Sequence, residues 1–131
     1  MGESVKRYKV LVVEDDPDIM ELVNVTLRPD DYQLMAAMDG EEALQKVHAE
    51  HPDLVLLDIK LPKKDGLEIC QAIKEDPELQ RTQVLMLTAF GQKNEIEEGF
   101  RSKADAYIVK PFEPPVLRKQ VRQYLESSRP A

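Results

Sequence analysis

The sequence predicts an α/β fold, a parallel sheet with helices packed on both of its faces. Three observations carry that reading. Short apolar runs without polar alternation recur along the chain, the pattern of strands buried on both sides. Segments with apolar residues at helical spacing separate them, which calls for strand–helix–strand crossovers. Several of the runs also end abruptly on polar side chains. They collect at one edge of the sheet, beyond the carboxyl ends of the strands, where ligands of open α/β sheets sit.

The first strand, β1, is expected over Tyr8–Val13 and ends on Glu14-Asp15-Asp16-Pro17. Asp16 before Pro17 is a helix start, an N-cap side chain followed by proline at the first helical position. Helix α1 then carries Ile19, Met20, Leu22, Val23 and Leu27 until Pro29-Asp30-Asp31 breaks it. Tyr32–Ala37 is a short β2. Asp39-Gly40-Glu41-Glu42 caps α2, which runs through Ala43, Leu44, Val47 and Ala49 to the stop at His51-Pro52-Asp53. Leu54–Asp58 is β3, the most continuously apolar segment, and it hands over one carboxylate before Ile59-Lys60-Leu61-Pro62. Helix α3 is expected over Gly66–Glu75 with Leu67, Ile69, Cys70 and Ile73 inward. Val84–Leu87 is β4, ending on Thr88-Ala89, and a weakly apolar α4 follows from Lys93 to Arg101. Asp105–Val109 is β5, ending on Lys110-Pro111-Phe112. Glu113-Pro114-Pro115 opens α5, with Val116, Leu117, Val121, Tyr124 and Leu125. Since β1, β3 and β4 are the most apolar, they belong in the centre. The expected architecture is a doubly wound (βα)5 flavodoxin-like sheet of strand order 2-1-3-4-5.

Composition narrows the function. The chain has 131 residues, the size of one domain. The domain is expected over residues 8–126, with flexible termini at 1–7 and 127–131. Net charge is −7, which opposes non-specific binding to nucleic acid or anionic membrane. One cysteine, Cys70, precludes an internal disulfide, and no run approaches a membrane span. A cytoplasmic setting, with no membrane and no direct nucleic-acid partner, is the expectation. Cys70 and the methionines Met20, Met35, Met38 and Met86 read as packing residues. His48 and His51 decorate a helix end.

The polar residues at the strand ends are Glu14-Asp15-Asp16, Asp58, Thr88 and Lys110. Acidic groups from β1 and β3 crowd one cleft and repel unless a cation sits among them. Oxygen ligands suit a hard divalent ion, and Mg²⁺ takes one or two carboxylates together with a phosphate oxygen. Lys110 offers a point charge and Thr88 a hydroxyl, so the set forms an electrostatic clamp for a transferring phosphoryl group. Asp58 is then the nucleophile, forming an acyl phosphate. Singly, each residue has a plainer reading. A strand-end Asp or Thr is usually a cap, and Asp16 is read mainly as the N-cap of α1. The joint pattern at four strand ends favours function.

Val12-Val13-Glu14-Asp15-Asp16, Leu56-Leu57-Asp58-Ile59-Lys60-Leu61-Pro62, Asp65-Gly66, Leu87-Thr88-Ala89 and Ala104-Asp105-Ala106-Tyr107-Ile108-Val109-Lys110-Pro111-Phe112 together resemble the receiver domain of two-component response regulators. The resemblance covers about residues 8 to 126. It implies that Asp58 accepts a phosphoryl group from a histidine kinase or phosphotransfer protein. It further implies that Mg²⁺ is held by Asp15, Asp58 and the main-chain carbonyl of Lys60, with Glu14 acting through water. Thr88 and Tyr107 match the switch pair, Lys110 the site lysine, and Pro111 its usually cis partner. The α4-β5-α5 face becomes the output surface for a downstream protein target or effector domain. No enzyme activity is implied beyond the chain's own phosphoryl transfer and autodephosphorylation, and no cofactor other than Mg²⁺. The implied assembly is a monomer or a weak phosphorylation-dependent dimer.

Lys103 stands where the family commonly has Gly, and Ala106 where it commonly has an acid. Ile96, Val116 and Gln120 lack the charges of the winged-helix regulators' dimer interface. Lys60 and Phe90, two residues past Asp58 and Thr88, occupy positions that vary in the family and tune dephosphorylation. A receiver-like interaction module that works without phosphorylation is the alternative. A haloacid-dehalogenase-like phosphatase would need a second Asp at Lys60, and a flavin mononucleotide binder would need a hydroxyl-rich loop in place of Glu14-Asp15-Asp16-Pro17.

Overall fold

The computed structural model describes residues 7–61, 65–89 and 103–127. The expected α4, together with Pro62, Phe90 and Ile96, lies outside them. Five parallel strands form one sheet in the order β2-β1-β3-β4-β5, as the apolar runs predict. Their ranges are Lys9–Val13, Gln33–Ala37, Leu54–Asp58, Gln83–Ala89 and Ala106–Lys110. Helices span Pro17–Leu27 (α1), Gly40–Glu50 (α2), Gly66–Glu75 (α3) and Pro114–Ser127 (α5). Short 3-10 turns follow α1 at Arg28–Asp30 and α3 at Pro77–Leu79.

Three aspartates start helices in the same way. Asp16 Oδ1 accepts the Asp18 N–H at 2.9 Å, Asp39 Oδ1 that of Glu42 at 2.9 Å, and Asp65 Oδ1 that of Leu67 at 2.8 Å. Each satisfies an amide that the first turn leaves without a partner. Asp16 is thus committed to capping, as its place before Pro17 suggests. His51 closes α2 in the left-handed region at φ 47°, its N–H donating to Val47 O.

The central strands divide their side chains by the two-residue period of the pleat. Val10 and Val12, Leu54 and Leu56, Leu85 and Leu87, and Ile108 face α1 and α5, where they meet Val23, Leu27, Leu117, Val121 and Leu125. Leu11 and Val13, Val55 and Leu57, and Val84 and Met86 face the other way, against Ala43 and Val47 of α2 and Ile69, Cys70 and Ile73 of α3.

Some expectations need correction. β4 runs two residues further than its apolar core, so Thr88 lies within the strand and not after it. β5 is shifted by one residue, so Lys110 is its last member. Met38 is 53 % exposed and does not pack, whereas Met86 is in the core and Met20 and Met35 lie at its margins. Lys103 has φ 67°, a backbone state suited to glycine, which places it in the tight turn before β5 without glycine's freedom. The Lys110–Pro111 peptide bond is cis.

Candidate functional site

The pleat also explains which polar residues meet. Continuing the α1/α5-facing series by one step gives Glu14 after Val10 and Val12, Asp58 after Leu54 and Leu56, and Lys110 after Ile108. Parallel register holds these strand ends level: Val13 pairs with Leu57, Asp58 with Leu87, and Ala89 with Lys110. Glu14 is fixed further by its N–H, which donates to Ala37 O at 3.0 Å. The side chains converge on a cleft of about 390 Å³, walled by Ile19, Ile59 and Leu87 and reached by Asp15 and Lys60.

Lys110 Nζ sits between two carboxylates, 3.1 Å from Glu14 Oε2 and 3.2 Å from Asp58 Oδ2. Glu14 is 1 % exposed, and its second oxygen accepts the Asp16 N–H at 3.2 Å. Burial raises the Glu14 carboxyl, and the neighbouring Asp58 charge raises it further. Lys110 and the Asp16 amide pull it back only in part, leaving it at about 7. Burial works against the Lys110 ammonium, yet Asp58 and Glu14 outweigh it and hold the lysine above its ordinary value. Oxygens of Glu14, Asp15 and Asp58 all lie within 4.8 Å of one another. Three carboxylates around one ammonium leave an excess of negative charge, and the Asp15 carboxylate is exposed toward solvent. An all-oxygen, over-anionic set of this kind fits a hard divalent cation.

The Glu14 shift has a measurable consequence. An acid whose folded pKa is about 7 and whose ordinary value is 4.5 keeps its proton in the folded chain while the unfolded chain loses it. Stability therefore falls as pH rises through that window. Glu14→Gln is expected to gain stability relative to wild type between about pH 5 and about pH 8, read by urea denaturation in chelator. A difference between the two proteins that stays constant across the window would refute this.

Thr88 and Tyr107 are not in the cleft. They belong to the opposite pleat series, Thr88 after Val84 and Met86, and Tyr107 paired with Met86 and packed on the α2/α3-side core. Thr88 Oγ1 is buried with no hydrogen-bond partner among the described residues. Burial pushes the Tyr107 phenol up to about 12, so it stays protonated. Asp58, the last residue of β3, and Thr88, the last but one of β4, thus lie on adjacent strands but point to different sides of the sheet.

Gly66, which shapes this edge, and Asp105, at the opposite end of the sheet where β4 and β5 begin, were given no role of their own in the sequence. Gly66, read as a turn, a helix start and part of the Asp65-Gly66 motif, donates its N–H to Ile59 O at 2.8 Å. A Cβ there would lie 2.2 Å from Asp58 O, so the α3 start packs directly on the backbone that carries Asp58. Asp105 Oδ2 accepts the Val84 N–H at 2.7 Å and Lys74 Nζ at 2.9 Å, tying the start of β5 to β4 and α3. A glycine at the first helical position, where most residues are tolerated, was a signal for the first. For the second, its place in the stretch Ala104–Phe112 was the signal.

Residues 10–122 match the response regulator receiver domain family. The chain is 40 % identical over 125 residues to the probable transcriptional regulator ycf27 of Guillardia theta, covering 95 % of this chain and 48 % of that protein. It is 38 % identical over 117 residues to the DNA-binding dual master transcriptional regulator RpaA of Synechocystis, covering 89 % and 48 %. The chain thus spans about half the length of the curated relatives it matches. Among solved structures, the chemotaxis response regulator CheY4 of Vibrio cholerae superposes with a TM-score of 0.84 at 32 % identity, covering 91 % of this chain and 99 % of that one. A response regulator from Chloroflexus aurantiacus gives 0.88 at 36 % identity, covering 92 % and 99 %. With the sheet order, the acidic cleft and the family match in agreement, the chain belongs to the response regulator receiver domain family.

Proposed function

We propose that residues 8–126 form a phosphorylation-dependent signalling switch in which Asp58 takes a phosphoryl group from a histidine kinase or phosphotransfer protein. The observation that supports this most is the Lys110 ammonium shared between Glu14 and Asp58 at 3.1 and 3.2 Å. A cation so placed can follow charge from a carboxylate to the group that carboxylate acquires. In the reaction, an Asp58 Oδ attacks phosphorus, the phosphorus–nitrogen bond of the donor phosphohistidine breaks, and the imidazole leaves with the electron pair. Lys110 then pairs with a phosphoryl oxygen, and Ile19 and Leu87 limit water at the cleft wall.

The residues that would hold Mg²⁺ are Asp15, Asp58 and the main-chain carbonyl of Lys60, with Glu14 reached through water. Bound there, the ion would offset the excess negative charge and polarise the phosphoryl oxygens. The chemistry is confined to gain and loss of this one phosphoryl group. Thr88 and Tyr107 are the proposed responders, since a new anion at Asp58 gives the buried Thr88 hydroxyl a partner if it moves toward it. The α4-β5-α5 face carries the result to a downstream protein or effector domain, in a cytoplasmic setting. DNA contact falls to such an effector and not to these residues. No described helix is long and apolar enough to cross a membrane.

Incubation with acetyl phosphate and Mg²⁺, followed by intact mass measurement, tests the reading. The expected outcome is addition of one phosphoryl group, prevented by a chelator. An unchanged mass, under conditions that modify another receiver, would favour the phosphorylation-independent module.

A further inference from the structure

Helix α5 carries a second polar site, away from the strand ends. Arg118, Lys119 and Arg122, with Pro115, line a cleft of about 290 Å³. The two arginines stand one turn apart and are held by a single carboxylate from the turn after α1. Arg118 Nε and Nη2 donate to Asp30 Oδ2 and Oδ1 at 2.9 and 3.0 Å, and Arg122 Nη2 donates to Oδ1 at 2.7 Å. The Asp30 side chain is 7 % exposed, whereas those of Arg118 and Arg122 are 44 % and 56 % exposed. The guanidinium groups are therefore fixed on one side and open on the other. Lys119 is exposed and makes no ion pair among the described residues.

Charge here runs against that of the molecule. The chain carries −7 overall, yet Glu126 is the single acid of α5 against three cations. Long side chains normally lose much conformational entropy on binding an anion, and a guanidinium already held in place has less to lose. Asp30 also shows what the pair accepts, a planar carboxylate bound by two parallel N–H groups. The net negative field disfavours a long polyanion such as nucleic acid, whose charge density extends well past the cleft. A short acidic segment engages only the local cations.

We propose that the Arg118–Lys119–Arg122 cleft is a docking site for an Asp- or Glu-bearing segment of a partner protein. It stands apart from the Asp58 cleft, and its use does not depend on phosphorylation.

The test uses the whole chain and a fluorescein-labelled Glu-Ala repeat peptide, with the Gln-Ala repeat as control, read by anisotropy and by amide chemical shifts. The Glu peptide is expected to bind, to weaken as salt rises, and to shift the amides of residues 115–122. Lys119→Glu, an exposed change that leaves the Asp30 clamp in place, is expected to weaken binding by about tenfold or more. Asp58→Asn is expected to bind the peptide like wild type, which separates this site from the phosphorylation reading. Equal binding of the Gln peptide, shifts that avoid α5, or unchanged affinity in Lys119→Glu would overturn the proposal. So would a duplex oligonucleotide that binds these residues when the peptide does not.

Discussion

Asp58→Asn is expected to abolish phosphoryl acceptance and leave the fold intact. The amide is nearly the size of the carboxylate, and the side chain sits at the rim of the cleft, 11 % exposed, so packing changes little. What disappears is the nucleophile, because an amide oxygen has neither the charge nor the basicity to displace a donor imidazole. Lys110 keeps Glu14 as a partner at 3.1 Å. Glu14 in turn loses the Asp58 charge, which after burial is the main influence raising its carboxyl. Thermal stability near neutral pH should therefore be equal to or above that of wild type, while mass measurement after acetyl phosphate and Mg²⁺ shows no adduct. An adduct formed at the wild-type rate would move the acceptor to another side chain. A collapsed melting transition would show that Asp58 is a structural group first.

The largest effect on stability is expected from Gly66→Ala. The new methyl group would meet Asp58 O at 2.2 Å and Ile59 Cα at 2.8 Å. Both are backbone atoms of a strand end paired with β4, so no rotamer change relieves the contact. Added volume in a packed interior costs about 1–3 kcal/mol, occasionally more, and a backbone obstacle puts this change at the upper end. The relief available is a shift of α3 away from β3. That stretches the Gly66 N–H bond to Ile59 O and displaces the peptide carrying Asp58. The urea midpoint should fall, and phosphoryl acceptance should slow in the fraction that stays folded, measured at equal native concentration. An unchanged midpoint would mean that α3 yields without cost.

The fold was legible because its determinants are local. Leu54–Asp58 has no polar residue until its last, and a strand of that kind is stable only between two layers. The helix starts were written out as Asp16-Pro17, Asp39-Gly40 and Asp65-Gly66. The acidic pair and Lys110 were legible as well, since all three end apolar runs. Less legible was their geometry. Side-chain alternation puts Glu14, Asp58 and Lys110 on one side of the sheet and Thr88 and Tyr107 on the other, which becomes evident only once register is fixed. Glu14, to which the resemblance gives a water-mediated role, is the most buried acid of the cleft and a direct partner of Lys110, and neither its burial nor that contact was visible in the sequence. Contacts such as Asp30 with Arg118 or Asp105 with Val84 join residues far apart in the chain, and no local pattern announces them. Met38 was misread because hydrophobicity alone does not assign a side: it lies just past the end of β2, where the chain turns into α2.

Lys110 reaches Glu14 across 96 positions of sequence, from the last strand to the end of the first. Long loops are closed late, after the entropy of bringing their ends together has been met by other pairings. Until β5 docks on β4, the carboxylates of Glu14, Asp15 and Asp58 share an edge without their ammonium. A folding intermediate with four paired strands would thus carry a repulsive, strongly anionic rim, and arrival of the fifth strand would quench it. The same lysine that balances the finished site gives the edge strand an electrostatic reason to dock, added to its backbone pairings with β4 and the core residues of α5 that follow it.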